Sequence, residues 1–335
     1  MVLRALLAAL VFSLIALAQP PRAEIERALA ADPRNPELHS SYGILLQEQG
    51  RTADAIAHFR KAVELAPRSP DFSYNLALAL LHDNQAGSAL AALDKHPFQT
   101  ADHLALRGAV LSVLGRFPQA IEALRRSVAL DSNNPDSLYD LALTLIKTGN
   151  AGEGATLLDR GRQRFPRIAK FHAAAGAVAY DNGRNDEAVR AYQVAVKLEP
   201  DAADLYASLG DIYDATGDLA RAQSAYAKAV SLEPANASYH LKQGRNFVKL
   251  QRPGDAQAAF LKAIARDATL ADAHFQLGKI AAARSDHAGA VPHFERAVAA
   301  DPALKEAWYQ LSLSHRRAGD AQKAAAALER FRQLQ

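Results

Sequence analysis

Apolar, small and turn-forming residues return along the chain with a spacing of 34. The prolines that close the second of each pair of apolar runs stand at Pro166, Pro200 and Pro234. Pro302 follows two periods on, and Pro67 is in the same phase once a shorter second unit is allowed. In that phase the chain divides into nine units, 36–69, 70–100, 101–134, 135–168, 169–202, 203–236, 237–270, 271–304 and 305–335. The eighth position holds Gly43, Ala77, Gly108, Ala142, Gly176, Gly210, Gly244, Gly278 and Ser312, all small. The twentieth holds alanine, or once Gly154, and the twenty-fourth holds large apolar residues such as Phe59, Leu124, Tyr192, Tyr226, Phe260 and Phe294.

These columns predict a pair of helices per unit. Positions 4, 7, 8 and 11 step by 3, 1 and 3, so at about 100° per residue they fall on one stripe of a first helix. Small residues at 8 and 20 let a second, antiparallel helix approach, and the large residue at 24 fills the space beside them. Gly50, Gly115, Gly149, Gly183, Gly217 and Gly319, all at position 15, suit the left-handed conformation that ends a helix. Residues 24–33 read as a lone second helix, a half-unit covering the end of the stack. The second unit departs from the rule, because Pro97 ends its second helix about one turn early.

The sixth unit carries the pattern most completely, with Tyr206, Leu209, Gly210, Tyr213, Gly217, Ala222, Tyr226, Ala229 and Pro234 in phase. The chain resembles the tetratricopeptide-repeat family over about 300 residues, which implies an all-α right-handed superhelix of nine helix-turn-helix units. The resemblance also implies that first helices line a concave groove holding extended peptides or partner helices. Positions 2, 5, 9, 12 and 13 lie opposite the packing stripe on the helical wheel, and there the candidate residues change character along the chain. Tyr74, Leu78, Tyr139 and Leu143 make an apolar stretch, Asp211 and Asp214 an acidic one, and Arg245, Lys249, Lys279, Arg316 and Arg317 a basic one, with Lys242 at its margin. Phe275 and Tyr309 add aromatic positions among the basic residues. Some family members clamp a terminal carboxylate with Lys and Asn at positions 5 and 9. Lys242 and Asn246 have that separation one step out of phase, at 6 and 10, so the resemblance does not extend to the clamp.

Composition narrows the chemistry. There are 39 Lys and Arg against 36 Asp and Glu, a formal charge of +3, and the aromatics do not form a basic stacking track, which disfavours a nucleic-acid partner. With no Cys, disulfides, thiolate metal sites and Cys nucleophiles are excluded. Of the eleven His, His39, His172, His240 and His274 share position 4, the packing slot that Tyr206 and Trp308 fill elsewhere. His58 and His293 share position 23, in units too far apart to join in one metal site. No metalloprotease motif, nucleophile elbow or phosphate loop between strand and helix is present, so no catalytic, cofactor or metal residue is assigned.

Met1 to Arg4 followed by an apolar run to Ala18, with small residues at Ala16 and Ala18 and prolines at 20 and 21, reads as a cleaved export signal over residues 1–18. A leading segment over 19–35 then precedes the array. The expected protein is a non-enzymatic scaffold, periplasmic or secreted, that binds a protein or extended peptide and takes no cofactor. The alternatives are an envelope assembly or chaperone-like accessory factor of a secretion, pilus or polysaccharide machine, and tethering to the membrane through an uncleaved signal.

Overall fold

Each period folds as two helices because its turn residues leave no other way to continue the apolar stripe. The structure, a computed structural model, describes residues 22–95 and 97–334, and the expected export signal lies outside the described residues. All regular secondary structure among these is α-helical. It divides into two compact units, Met1–Phe165 and Pro166–Gln335. In the first, α1 (Arg22–Ala31) precedes the pairs α2 (Pro36–Glu48) and α3 (Thr52–Leu65), α4 (Pro70–His82) and α5 (Ala86–Lys95), α6 (Ala101–Val113) and α7 (Phe117–Leu130), and α8 (Pro135–Lys147) and α9 (Ala151–Arg164). In the second, the pairs are α10 (Ala169–Asp181) and α11 (Asn185–Leu198), α12 (Ala203–Ala215) and α13 (Leu219–Leu232), α14 (Ala237–Lys249) and α15 (Pro253–Arg266), α16 (Ala271–Ala283) and α17 (His287–Ala300), and α18 (Lys305–Arg317) and α19 (Ala321–Gln333). Each unit is thus a stack of helix-turn-helix pairs, the α-α solenoid class.

The contact that closes a pair runs from position 8 to position 24. A Cβ added to Gly43 would stand 2.7 Å from the Phe59 ring, one on Gly210 2.6 Å from the Tyr226 ring, and one on Gly244 2.5 Å from the Phe260 ring. These separations are closer than side-chain atoms pack, so the ring occupies the space a side chain on the first helix would need. Gly176 and Gly278 face Tyr192 and Phe294 in the same way. Where position 8 is Ala142 or Ser312, position 24 is the slimmer Leu158 or Leu328. In the fourth pair the close approach moves to position 20, where a Cβ on Gly154 would meet Ile146 at 2.6 Å and the Ala142 carbonyl at 2.7 Å. Phe59, Phe260 and Phe294 are at most 1% exposed. Each such ring contributes about 1.5–3 kcal/mol by leaving water.

First helices end identically in all nine pairs. The residue at position 15 takes a positive φ, and the next N–H reaches back five residues, as in Arg51 to the Leu46 carbonyl at 2.9 Å and Asp218 to that of Tyr213 at 2.8 Å. Six of these residues are Gly. The other three, Asn84 (φ 60°), Gln251 (φ 56°) and Ser285 (φ 63°), hold the same conformation with a side chain present. Asn tolerates that conformation, but it costs Gln251 and Ser285 about 1–2 kcal/mol, so at these two places the stack imposes the turn against the local sequence.

The position-4 rings do more than pack. His39, His172, His240 and His274 place Nε2 3.0–3.2 Å from the carbonyl six residues earlier, at Pro33, Pro166, Pro234 and Ala268, and Trp308 Nε1 stands 3.0 Å from that of Pro302. A carbonyl only accepts and indole only donates, so in these five units the ring donates its N–H and the His tautomer is fixed at Nε2–H. His39 Nδ1 then accepts from His58 Nδ1–H at 3.0 Å.

Two outcomes follow from this packing. Gly210→Ala is expected to destabilise the chain by about 1–3 kcal/mol through overpacking against Tyr226, whereas Gln251→Gly should stabilise it by up to about 1 kcal/mol by relieving the positive φ. Urea melts of the two variants check the opposite signs. Separately, burial pulls His58, His82, His103, His274 and His293 below the ordinary histidine value, with the neighbouring His39 adding to the effect at His58. Groups depressed on folding stabilise the fold above their unfolded value, about pH 6.5, and lose that contribution as the pH falls through the lower folded values. The Tm should therefore drop between about pH 7.5 and pH 5; a Tm that rises over that interval contradicts the assignment.

Candidate interaction surface

The charged candidates of the second compact unit sit on successive first helices, and the first thing they do is bind one another. On α12, Asp211 accepts from the Tyr226 hydroxyl at 2.8 Å and from Lys242 Nζ of α14, at 2.7 Å to Oδ1 and 2.5 Å to Oδ2. Asp214, one turn further along α12, pairs with Lys249 of α14. It also accepts from Asn246 Nδ2 at 3.4 Å, and that amide donates to the Leu219 carbonyl at 3.2 Å. Arg245 Nε of α14 donates to Asp272 Oδ2 of α16 at 2.7 Å, while Gln276 Nε2 donates to the other oxygen at 3.2 Å. Burial, and after it the Asp211 charge, pushes the Tyr226 hydroxyl far above the usual tyrosine value. The acidic stretch and the front of the basic stretch are therefore one ladder of pairs between neighbouring first helices. Their side chains are 20–53% exposed, so each pair adds at most about 1 kcal/mol, yet each cancels its charge locally.

The ladder stops at α16. Lys279 lies over the Phe275 ring at 5.4 Å, on an exposed part of the surface. Tyr309 of α18 is 42% exposed, with its ring 5.3 Å from that of Phe331. Arg316 and Arg317 end α18 exposed, and Arg317 Nη1 donates to His287 Nε2 at 3.4 Å. Among the described residues, Lys279, Arg316 and Arg317 have no carboxylate within ion-pair distance. Two guanidinium groups at the end of α18 and an ammonium on α16 are thus exposed, the ammonium against the Phe275 ring.

The apolar candidates of the first compact unit are placed differently. Tyr74 and Leu78 are half-buried against the core that includes Leu76, Leu80 and Leu106. Burial, with the Asp102 and Asp136 charges adding to it, pushes the Tyr74 hydroxyl up to about 12. Tyr139 is only 7% exposed and Leu143 is half-buried. These residues offer little surface to a partner.

Sequence reasoning by columns missed Asp272 and Tyr226 as partners of the charged residues. The signal lies between units, where opposite charges stand 31 residues apart at Asp211 and Lys242 and 35 apart at Asp214 and Lys249. One arrangement resembles a catalytic dyad, Ser73 beside His103. Ser73 Oγ donates to the Pro70 carbonyl at 2.9 Å, so its oxygen accepts from His103 Nε2–H at 2.9 Å, and both side chains are buried. That hydroxyl proton is spent on a carbonyl and is not offered to a base. Among the described residues, no three His, Asp or Glu side chains are grouped to hold a metal ion, and no helix is long and apolar enough to cross a membrane.

A repeated helix pair with this small-residue column defines a repeat family, and comparison with known proteins identifies it. The tetratricopeptide-repeat profile matches residues 13–70, 43–103, 241–305 and 277–334, more than half of the chain. Related profiles of the same repeat match 176–217, 114–177 and 203–236. The chain belongs to the tetratricopeptide-repeat family. It is 30% identical over 152 residues to Cellulose synthase 2 operon protein C of Komagataeibacter xylinus, an alignment covering 43% of this chain and 11% of that protein. The chain therefore spans about a tenth of that relative's length. Among solved structures it is similar to a chain of the APC/C hetero-tetramer Cut9–Hcn1, with a TM-score of 0.56 and 17% identity over 86% of this chain and 58% of that one. It is also similar to pilF of Pseudomonas aeruginosa, with a TM-score of 0.53 and 18% identity over 60% and 92%. At these identities the two structures share the fold with this chain and nothing finer.

Proposed function

We propose that this chain is a non-enzymatic scaffold that binds an extended, acidic segment of a partner protein across the α16–α18 face, and that it works outside the cytoplasm after export through residues 1–18. The observation that carries the reading is the set of exposed cations without a carboxylate partner among the described residues, Lys279, Arg316 and Arg317, on the two first helices that also carry Phe275 and Tyr309, where the internal charge ladder ends. Aromatic and apolar side chains of the partner would supply affinity, at about 25 cal/mol per Å² of apolar surface covered. The cations would set register and speed the encounter. Asp211, Asp214, Arg245 and Lys249 hold neighbouring first helices in place in this reading, and Tyr74, Leu78, Tyr139 and Leu143 support the core beneath. No residue is given a catalytic role.

A second reading, an accessory factor of an envelope polysaccharide machine, is favoured by the relationship to Cellulose synthase 2 operon protein C. It concerns where the scaffold works and keeps the same surface.

The test uses the full chain and a fluorescein-labelled peptide rich in Glu, Asp and Phe, followed by anisotropy. Reversing Lys279, Arg316 and Arg317 to Glu together should weaken binding by about tenfold or more and flatten its salt dependence. Arg245→Gln, which removes a charge already occupied by Asp272, should change the affinity by less than about twofold. Equal losses in both variants, or none in the first, would rule out this surface.

A further inference from the structure

The second unit carries a feature that the scaffold reading does not use. Its second helix, α5, has 10 residues, whereas α3 and α7 on either side have 14 each, so the array lacks about one helical turn at this place. Two cavities flank the shortened end. One, of about 240 Å³, lies between α5, α6 and α7 over Leu93, Phe98 and Leu104. The other, of about 220 Å³, lies between α3, α4 and α5 over Val63, Leu76 and Ala92. Leu93, Leu104 and Leu76 are buried, so both floors are continuous with the core.

The rims are basic. Arg60 and Lys95 border one cavity, and Arg107 and Arg126 the other. Asp94 on the rim is already held by Arg107 at 2.9 Å, and Glu64 by Lys61 at 3.1 Å. Arg126 donates only to the Gln99 side-chain oxygen, and among the described residues neither Arg60, Lys95 nor Arg126 has a carboxylate partner. An apolar floor and three cations without a carboxylate partner among the described residues occur together at the end of a helix about one turn shorter than its neighbours.

We infer that the two cavities flanking the end of α5 together form a second docking site, covered by one helical turn of a partner protein that carries apolar side chains on one face and carboxylates flanking them. Helical shape is favoured because the missing piece of the array is itself a helical turn packed on these residues. Acidic flanks are favoured because the rim's own carboxylates are spent. The slot lies on α3–α7 and owes nothing to the α16–α18 surface, so either site can fail without the other.

The test uses the full chain and a synthetic acetylated helical peptide with two Leu four positions apart and Glu at the flanking positions, labelled for anisotropy. It should bind in the micromolar range, and replacing its Leu by Ala should weaken binding by about tenfold. Lys95→Glu with Arg126→Glu, both exposed and tolerant of change, should cost about tenfold. Ala92→Phe, which fills one cavity, should cost at least about fivefold with an unchanged circular-dichroism melt. Lys279→Glu with Arg316→Glu should leave the affinity alone. The inference is overturned by any of three results. These are no binding up to about 1 mM peptide, binding lost only with the Lys279 and Arg316 reversals, or self-association of the chain that the slot variants abolish, which would make a second copy the occupant.

Discussion

A ring packed against a glycine of the first helix is the contact on which the rest of this structure depends. At Gly43, Gly176, Gly210, Gly244 and Gly278 the first helix has no Cβ, and the ring sixteen residues later occupies the space a methyl group would need. The interhelical distance is thereby set by the backbone itself, which deforms less readily than a flexible side chain. Position 20 must then be small, because the second helix is equally close, and the columns at 4, 7 and 11 must cover the flanks. Most apolar residues are consumed in holding that distance. On the proposed reading, binding is left to the surface, and above all to places where the repeat is incomplete.

Charge follows from the same stacking. Identical helices placed side by side bring position 9 or 12 of one first helix near position 6 or 13 of the next, so opposite charges in adjacent units meet. Asp211 with Lys242 and Asp214 with Lys249 are such meetings, and Arg245 with Asp272 continues them. Each is worth little in stability. Collectively they remove most of the apparent acidic-to-basic gradient, and what remains is positive charge at Lys279, Arg316 and Arg317. The same accounting picks out the cavities beside α5, where the rim acids are taken and Arg60, Lys95 and Arg126 have no carboxylate partner among the described residues.

Much of this could be read from the chain. The period, the glycine and alanine columns and the early Pro97 were legible because each is a local requirement repeated many times. The turns at Gln251 and Ser285 were not, since these side chains do not favour a positive φ and only the stack enforces it. The His residues at position 4 read correctly as packing residues, but their ring N–H bond to the carbonyl six residues back spans a turn whose geometry a helical wheel does not contain. Tyr139 fell on the outward side of the wheel and is nonetheless buried. The face opposite the packing stripe of one pair is partly covered by the next, and a wheel drawn for one helix cannot include that neighbour. The charge pairs escaped for the same reason.

The central claim is that ion pairing between neighbouring first helices occupies Lys242 and Lys249 and leaves Lys279 available to a partner. Competitive amine labelling of the full chain at neutral pH, read out residue by residue by mass spectrometry, addresses it most directly. Lys279 should be modified ahead of Lys242 and Lys249, and adding an acidic peptide should protect Lys279 selectively. Equal modification of the three, or protection of Lys242 while Lys279 stays reactive, would contradict the account.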